Sequence, residues 1–314
     1  MAGILSRARP WSPSADDAVR RATGGVVRVL TPADTAALAA LAAADPVANC
    51  FVESVLENGR HAGSTRSGGS LFLGIDAAAA PPAPGRAPGR GPGLEAACWV
   101  GANIVPVGAS PEAGALFGRA LLALRRRYAS VYGPRDAVLS IWQELGRGPQ
   151  RARQVRDEQP LMVLPGAPAV EPSPRVRPAR PKEFHTVLPA CVAMFEEELG
   201  FSPLANGAVQ YRLRVEDLIR NGHCLVDLDD AGRVRFKADL GVVSARCSQI
   251  QGVWVDPSLR GRGLAAPSMA AVAAYAHTIT EHVSLYVNSF NTAALRTYRT
   301  VGFEQVGTFA TVLL

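Results

Sequence analysis

Residues 253–265 read VWVDPSLRGRGLA: a β-branched and aromatic run, an Asp-Pro break, then two glycines set among arginines. Val253, Trp254 and Val255 favour an extended backbone, and Asp256-Pro257 ends it. Beyond the glycines, Met269, Val272, Ala276 and Ile279 recur at three- and four-residue steps, the stripe of a helix packed on one face. A strand that feeds a helix through glycines lets a ligand approach the backbone closely. The N–H groups of the first helical turn have no intrahelical partner, and the helix dipole makes them an anion seat. Gly261, Arg262, Gly263, Leu264 and Ala265 supply these donors, and Arg260 and Arg262 add positive charge. Pro267 costs little where N–H groups are unpartnered anyway. A phosphate-bearing ligand is expected at residues 260–265.

Two phosphate ligands compete for this turn. Gly261 to Ala266 satisfies G-x-G-x-x-G/A, the dinucleotide fingerprint. That reading also requires an acidic residue ending the next strand, to hold the ribose. Here the strand ends Tyr286-Val287-Asn288. Residues 264–314 are also too few for most of a doubly wound sheet, so a nicotinamide enzyme is disfavoured.

Composition closes off other classes. The formal charge is +6, yet only Lys182 and Lys237 are lysines among 33 basic residues. Arginine excess beside abundant Ala, Gly and Pro reads as codon bias, and no aromatic-interleaved basic stripe suggests nucleic acid. Cys50, Cys98, Cys191, Cys224 and Cys247 form no C-x-x-C pair, so buried free thiols are expected and no metal is assigned. No apolar run suits a membrane helix, and residues 1–25 lack the core of a signal peptide, so the expected compartment is cytoplasmic.

The Pro/Gly-rich segment 76–93 reads as a long loop inside a domain, and 166–181 as a linker between two domains, 1–165 and 175–314. In the second, residues 187–200 read as a helix with Pro189 in its first turn, and 207–222 as another closed by Asn221-Gly222. Two strands follow around a DDAGR turn, then the strand into the glycine turn, the striped helix, a strand at 282–287, a helix at 291–302 and a last strand. The expected fold class is α/β with a mixed sheet.

The turn resembles motif A of the GNAT acetyltransferase superfamily, Q/R-x-x-G-x-G/A, carried here by Arg260, Gly263 and Ala265. A second GNAT pattern, N-x-x-A-x-x-x-Y-x-x-x-G-F, is matched by Asn291, Ala294, Tyr298, Gly302 and Phe303. Together they cover roughly residues 175–314. The resemblance implies the acyl-CoA N-acyltransferase fold, acetyl-CoA as cosubstrate with its pyrophosphate on the turn, and a primary amine as acceptor. It implies that the strand before the turn splays from its neighbour, leaving backbone around Val253 and Val255 to pair with the pantetheine arm. It places Asn288 and Asn291 facing the cofactor and makes Tyr298 the general acid for the departing thiolate. From the residues alone, Asn291 also reads as a helix N-cap and Tyr298 as a packing side chain. Many superfamily members carry a glutamate on the strand entering motif A; this chain has Gln249 and Gln251, and an amide cannot take a proton from an ammonium. Glu196, Glu197 and Glu198 lie where such proteins build the acceptor site, and equally fit a solvated helix end.

The first 165 residues repeat the order of elements. Ser130-Val131-Tyr132 echoes Ser284-Leu285-Tyr286, and Gly146 matches Gly302, which puts Trp142 where Tyr298 lies. Indole is no proton-transfer acid near neutral pH, and no motif A precedes the corresponding helix. The N-terminal part is therefore expected to be a degenerate GNAT-like domain. The missing strand glutamate keeps open a non-catalytic acyl-CoA-binding or regulatory protein.

Overall fold

The computed structural model describes residues 13–63, 69–77, 93–205 and 207–314. Most of the loop expected at 76–93 lies outside the described residues, as does Asn206. The chain divides into two compact units. One holds the described residues up to Gln159 together with Gly307–Leu314, and the other holds Pro160–Val306. The linker expected at 166–181 falls inside the second.

In the first unit a helix unforeseen in the sequence, α1 (Pro13–Ala22), precedes β1 (Val27–Val29). Thr31 opens a 3-10 turn at Pro32–Asp34, its N–H and hydroxyl both donating to Asp34, and α2 (Thr35–Ala43) continues from there. Then come α3 (Cys50–Glu57), β2 (Leu71–Asp76), β3 (Leu94–Val100), β4 (Asn103–Val107), α4 (Pro111–Ala123), β5 (Ser130–Pro134) and α5 (Arg135–Leu145). Just past the end of α4, Arg125 is turned into the left-handed region at φ 50°. β1 to β4 pair antiparallel in sequence order, while β4 and β5 are parallel.

β6 (Gln154–Leu164) leads into the second unit, followed by β7 (Arg177–Pro178) and α6 (Phe184–Leu199). α6 begins three residues before its expected start, because Arg180 N–H donates to Glu183 at 2.7 Å and sets a 3-10 turn ahead of it. Pro189 thus lies in the helix interior rather than its first turn, and the His185 carbonyl goes without the usual donor. The remaining elements are α7 (Ala208–Arg220), β8 (Cys224–Leu228), β9 (Val234–Val243), β10 (Cys247–Val255), α8 (Ala265–His277), β11 (His282–Tyr286), α9 (Thr292–Val301) and β12 (Glu304–Leu313). The sheet runs β7-β8-β9-β10-β11-β6, with β10–β11 its parallel pair.

Period-two alternation in β9 sends Phe236, Ala238 and Leu240 toward α8, where Met269, Val272 and Ala276 are fully buried. Ile279, the last residue of the expected stripe, lies past the helix end and is exposed. The other face of the sheet packs Cys224 and Val226 under Val187, Cys191, Val215 and Ile219 of α6 and α7.

The final strands are exchanged. Leu161–Leu164 of β6 pair antiparallel with β11 in the second unit. Phe309–Leu313 of β12 pair antiparallel with β5 in the first.

Candidate active site

β10 pairs with β11 only at Cys247, Ser248 and Gln249, opposite His282, Val283 and Ser284. It then parts from β11 and continues on β9, where Trp254 faces Lys237 and Val255 faces Phe236. The ladder is interrupted between Gln251 and Trp254, where Gly252 takes φ +56°. The bulge and the loss of the β11 ladder leave Gly252–Val255 half-buried and, among the described residues, with one edge unpaired.

Asp256 turns the chain by accepting from Ser258 N–H at 2.8 Å, opening a 3-10 turn at Pro257–Leu259. Gly261 and Gly263 follow at φ +73° and +78°, left-handed conformations that a side chain would strain. Among the described residues, none of the backbone N–H groups from Gly261 to Ala266 finds an acceptor. Six consecutive donors at the start of α8 therefore stand open, with Arg262 exposed among them.

Arg260 is committed differently from the sequence expectation. Its Nε donates to the Val255 carbonyl at 3.1 Å, and its guanidinium pairs with Glu197 at 2.7 Å. Glu197 also accepts from Trp254 Nε1 at 3.1 Å, so one carboxylate of α6 ties the strand to the turn. Both ions are about half exposed, which limits the pair to roughly 1 kcal/mol or less. Its effect is to order the turn more than to stabilise the fold.

Asn291 caps α9, its side-chain oxygen accepting from Ala294 N–H at 3.1 Å, and its own N–H donates to the Asn288 carbonyl at 2.9 Å. Tyr298 is 7% exposed and packs its ring 6.1 Å from Phe303. Among the described residues its hydroxyl has no hydrogen-bond partner. Burial, and secondarily the Glu198 carboxylate, push its pKa above the usual phenol value and keep it protonated.

Sequence reasoning missed a charged pair beneath the bulge. Lys237 is fully buried and donates to Asp239 at 2.5 Å, with Cys191 Sγ 3.6 Å away. A Cβ on Gly252 would lie 2.9 Å from Asp239 Oδ2 and 3.1 Å from Lys237 Nζ. In the sequence these residues alternate with Phe236, Ala238 and Leu240, a pattern that reads as a solvent face. Here α6 covers that face.

The first unit repeats the strand geometry, with a side-chain cap at its helix start. β4 and β5 pair only at Asn103↔Ser130 and Ile104↔Val131. At the start of α4, Ser110 Oγ accepts from Ala113 N–H at 3.2 Å. Leu41 lies 2.8 Å from a Cβ built on Gly108. Trp142 packs into the core of this unit. All five cysteines are free and buried. Among the described residues no cluster of three His, Cys, Asp or Glu suits a metal ion, and no helix is long and apolar enough to cross a membrane.

Residues 191–303 match the Acetyltransferase (GNAT) family, and residues 86–187 match a Domain of unknown function (DUF4081). No curated protein matches the sequence. Among solved structures the chain is similar to a GNAT-family acetyltransferase from Colwellia psychrerythraea, at 11% identity and TM-score 0.54, covering 92% of this chain and 99% of that one. It is likewise similar to a GCN5-related N-acetyltransferase from Sphaerobacter thermophilus, at 17% identity and TM-score 0.56, covering 91% and 94%. A tandem GNAT protein from the clavulanic acid biosynthesis pathway matches at 14% identity and TM-score 0.50, covering 91% and 97%. At these identities the likeness concerns the fold.

Proposed function

Because this chain carries a GNAT-family acetyltransferase domain over residues 191–303, we propose that it transfers an acetyl group from acetyl-CoA to a primary amine by direct attack. The acceptor is a small molecule, a peptide or a protein. The observation that carries this reading is the row of six unpartnered N–H groups from Gly261 to Ala266, set on two left-handed glycines beside a strand edge that has left its neighbour. Such a seat fits a pyrophosphate, and the free edge of β10 around Val253, Trp254 and Val255 fits an extended amide-bearing arm. Arg262 supplies charge at the turn, while Arg260 orders it through Glu197 and Val255.

Acetyl-CoA supplies the activated acyl group. Tyr298 then protonates the departing sulfur, and its burial and unengaged hydroxyl support that role. Asn291 holds the start of α9, and with it the register that carries Tyr298. General-acid assistance of this kind contributes about 10²–10⁴-fold.

A second reading, a non-catalytic acyl-CoA-binding or regulatory protein, is favoured by one observation: β10 carries Gln249 and Gln251, joined at 3.0 Å, where a base would be expected. Steady release of free coenzyme A from acetyl-CoA with a panel of primary amines, with products identified by mass, separates the two. Acetyl-CoA binding without turnover on any amine supports the second; an acetylated amine with stoichiometric coenzyme A supports the first.

A further inference from the structure

The carboxylate absent from β10 stands one strand away. Asp239 of β9 lies directly opposite Gln251 in the antiparallel register, so the two side chains share a face of the sheet. Lys237 holds Asp239 Oδ2 at 2.5 Å, while Asp239 Oδ1 is buried and, among the described residues, has no hydrogen-bond partner. A buried carboxylate oxygen without a donor is costly and calls for an explanation. Lysine pairing explains how the charge survives burial, and leaves one oxygen unused. The pair also touches the bulge, at the place where β10 has already left β11.

Resting on the transferase reading above, we propose that Asp239 is the proton acceptor for the incoming amine, taking its proton at Oδ1 directly or through one water. The acceptor's ammonium breaks one N–H bond and a new O–H bond forms on Asp239. The freed lone pair forms the C–N bond at the acyl carbon while the C–S bond breaks. The sulfur leaves with the bonding electrons and takes the Tyr298 proton. The second nitrogen proton restores Tyr298, and Asp239 returns its proton to solvent, so one proton is released per turnover. Lys237 is a positioning residue: it fixes one carboxylate oxygen and leaves the other to take the proton.

The test compares wild type, Asp239→Asn and Asp239→Glu with a lysine-containing tripeptide and with hydroxylamine, a nucleophile already unprotonated at neutral pH. Asp239→Asn should lower kcat/KM for the peptide amine by about 10²-fold or more, with acetyl-CoA affinity kept within about twofold. Its peptide activity should recover as pH rises and the free amine appears, and transfer to hydroxylamine should change little. Asp239→Glu should keep part of the peptide activity. The proposal is overturned if Asp239→Asn retains the wild-type rate and pH profile, or if both nucleophiles lose activity equally. If Asp239→Asn loses acetyl-CoA binding through misfolding, Asp239→Glu decides: a folded variant whose acidic pH limb is unchanged in position and height overturns the assignment, and a displaced limb supports it. A wild type that binds acetyl-CoA but transfers to neither probe fails earlier, and overturns the transferase reading together with this inference.

Discussion

At Gly263 the backbone sits at φ +78°, and a Cβ there would meet nothing within 4 Å. Gly263→Asp therefore adds local strain without a clash, and aspartate is among the residues best tolerated in the left-handed region. Its carboxylate at a helix N-terminus is favourable for the helix itself. The same charge would stand where the pyrophosphate is proposed to bind. Calorimetry should show acetyl-CoA affinity falling by about 10²-fold or more, roughly 2.7 kcal/mol, with the fold retained; unchanged affinity would remove the assignment. Tyr298→Phe is the complementary case. Since the hydroxyl engages no described residue, its removal should leave stability and acetyl-CoA affinity alone. Turnover should drop by about 10²-fold, because the proton is required in the transition state and not for binding. Wild-type turnover would make Tyr298 a packing residue, or chemistry not rate-limiting.

Helix α8 and its counterpart α4 begin in the same strand–helix setting, but only α4 has a side-chain cap at its start. Ser110 caps α4 from within, and Leu41 crowds Gly108; α8 has only glycines and open N–H groups. With Ser110 already capping α4, the full chain should bind one equivalent of acetyl-CoA. Two equivalent sites by calorimetry would make the first unit a working cofactor site. The bulge in β10 carries its own prediction. Gly252→Ala would place a methyl against the Lys237–Asp239 pair and Met194, at a φ that disfavours any side chain. It should destabilise by about 1–3 kcal/mol, read as a lower denaturant midpoint at unchanged m-value.

Across the whole molecule, the exchanged strands couple parts of the chain far apart in sequence. Ala310 and Val312 are fully buried in the core that contains Val131 and Val138. Deleting residues 307–314 should therefore unprotect the first unit. In amide exchange β5 would lose the partner it has at Phe309–Leu313, and loss of the buried Phe309 and Val312 side chains costs about 1.5–3 kcal/mol each. Unaltered exchange at Ser130–Pro134 would contradict the exchanged arrangement. A fragment beginning at residue 170 carries a related defect, since it lacks Leu161–Leu164 and exposes the edge of β11. A fragment beginning at residue 155 should be the more stable of the two by thermal unfolding.

Local pattern was enough for much of this protein. The strand–glycine–helix unit at 253–277, the N-cap at Asn291 and the period-two strand at β9 follow from side chains that act on their immediate backbone, and such preferences are legible one residue after another. So was the spacing of Tyr298 from Asn291 and Gly302. Three features were decided only in the tertiary structure. The alternation of Lys237 and Asp239 with apolar neighbours could not tell solvent from the underside of α6. The commitment of Arg260 to Glu197 joins residues 63 apart, beyond any local rule. The exchange of β6 and β12 turns on which edge each strand meets, and a strand's sequence specifies the face it buries far more strongly than the partner it pairs with.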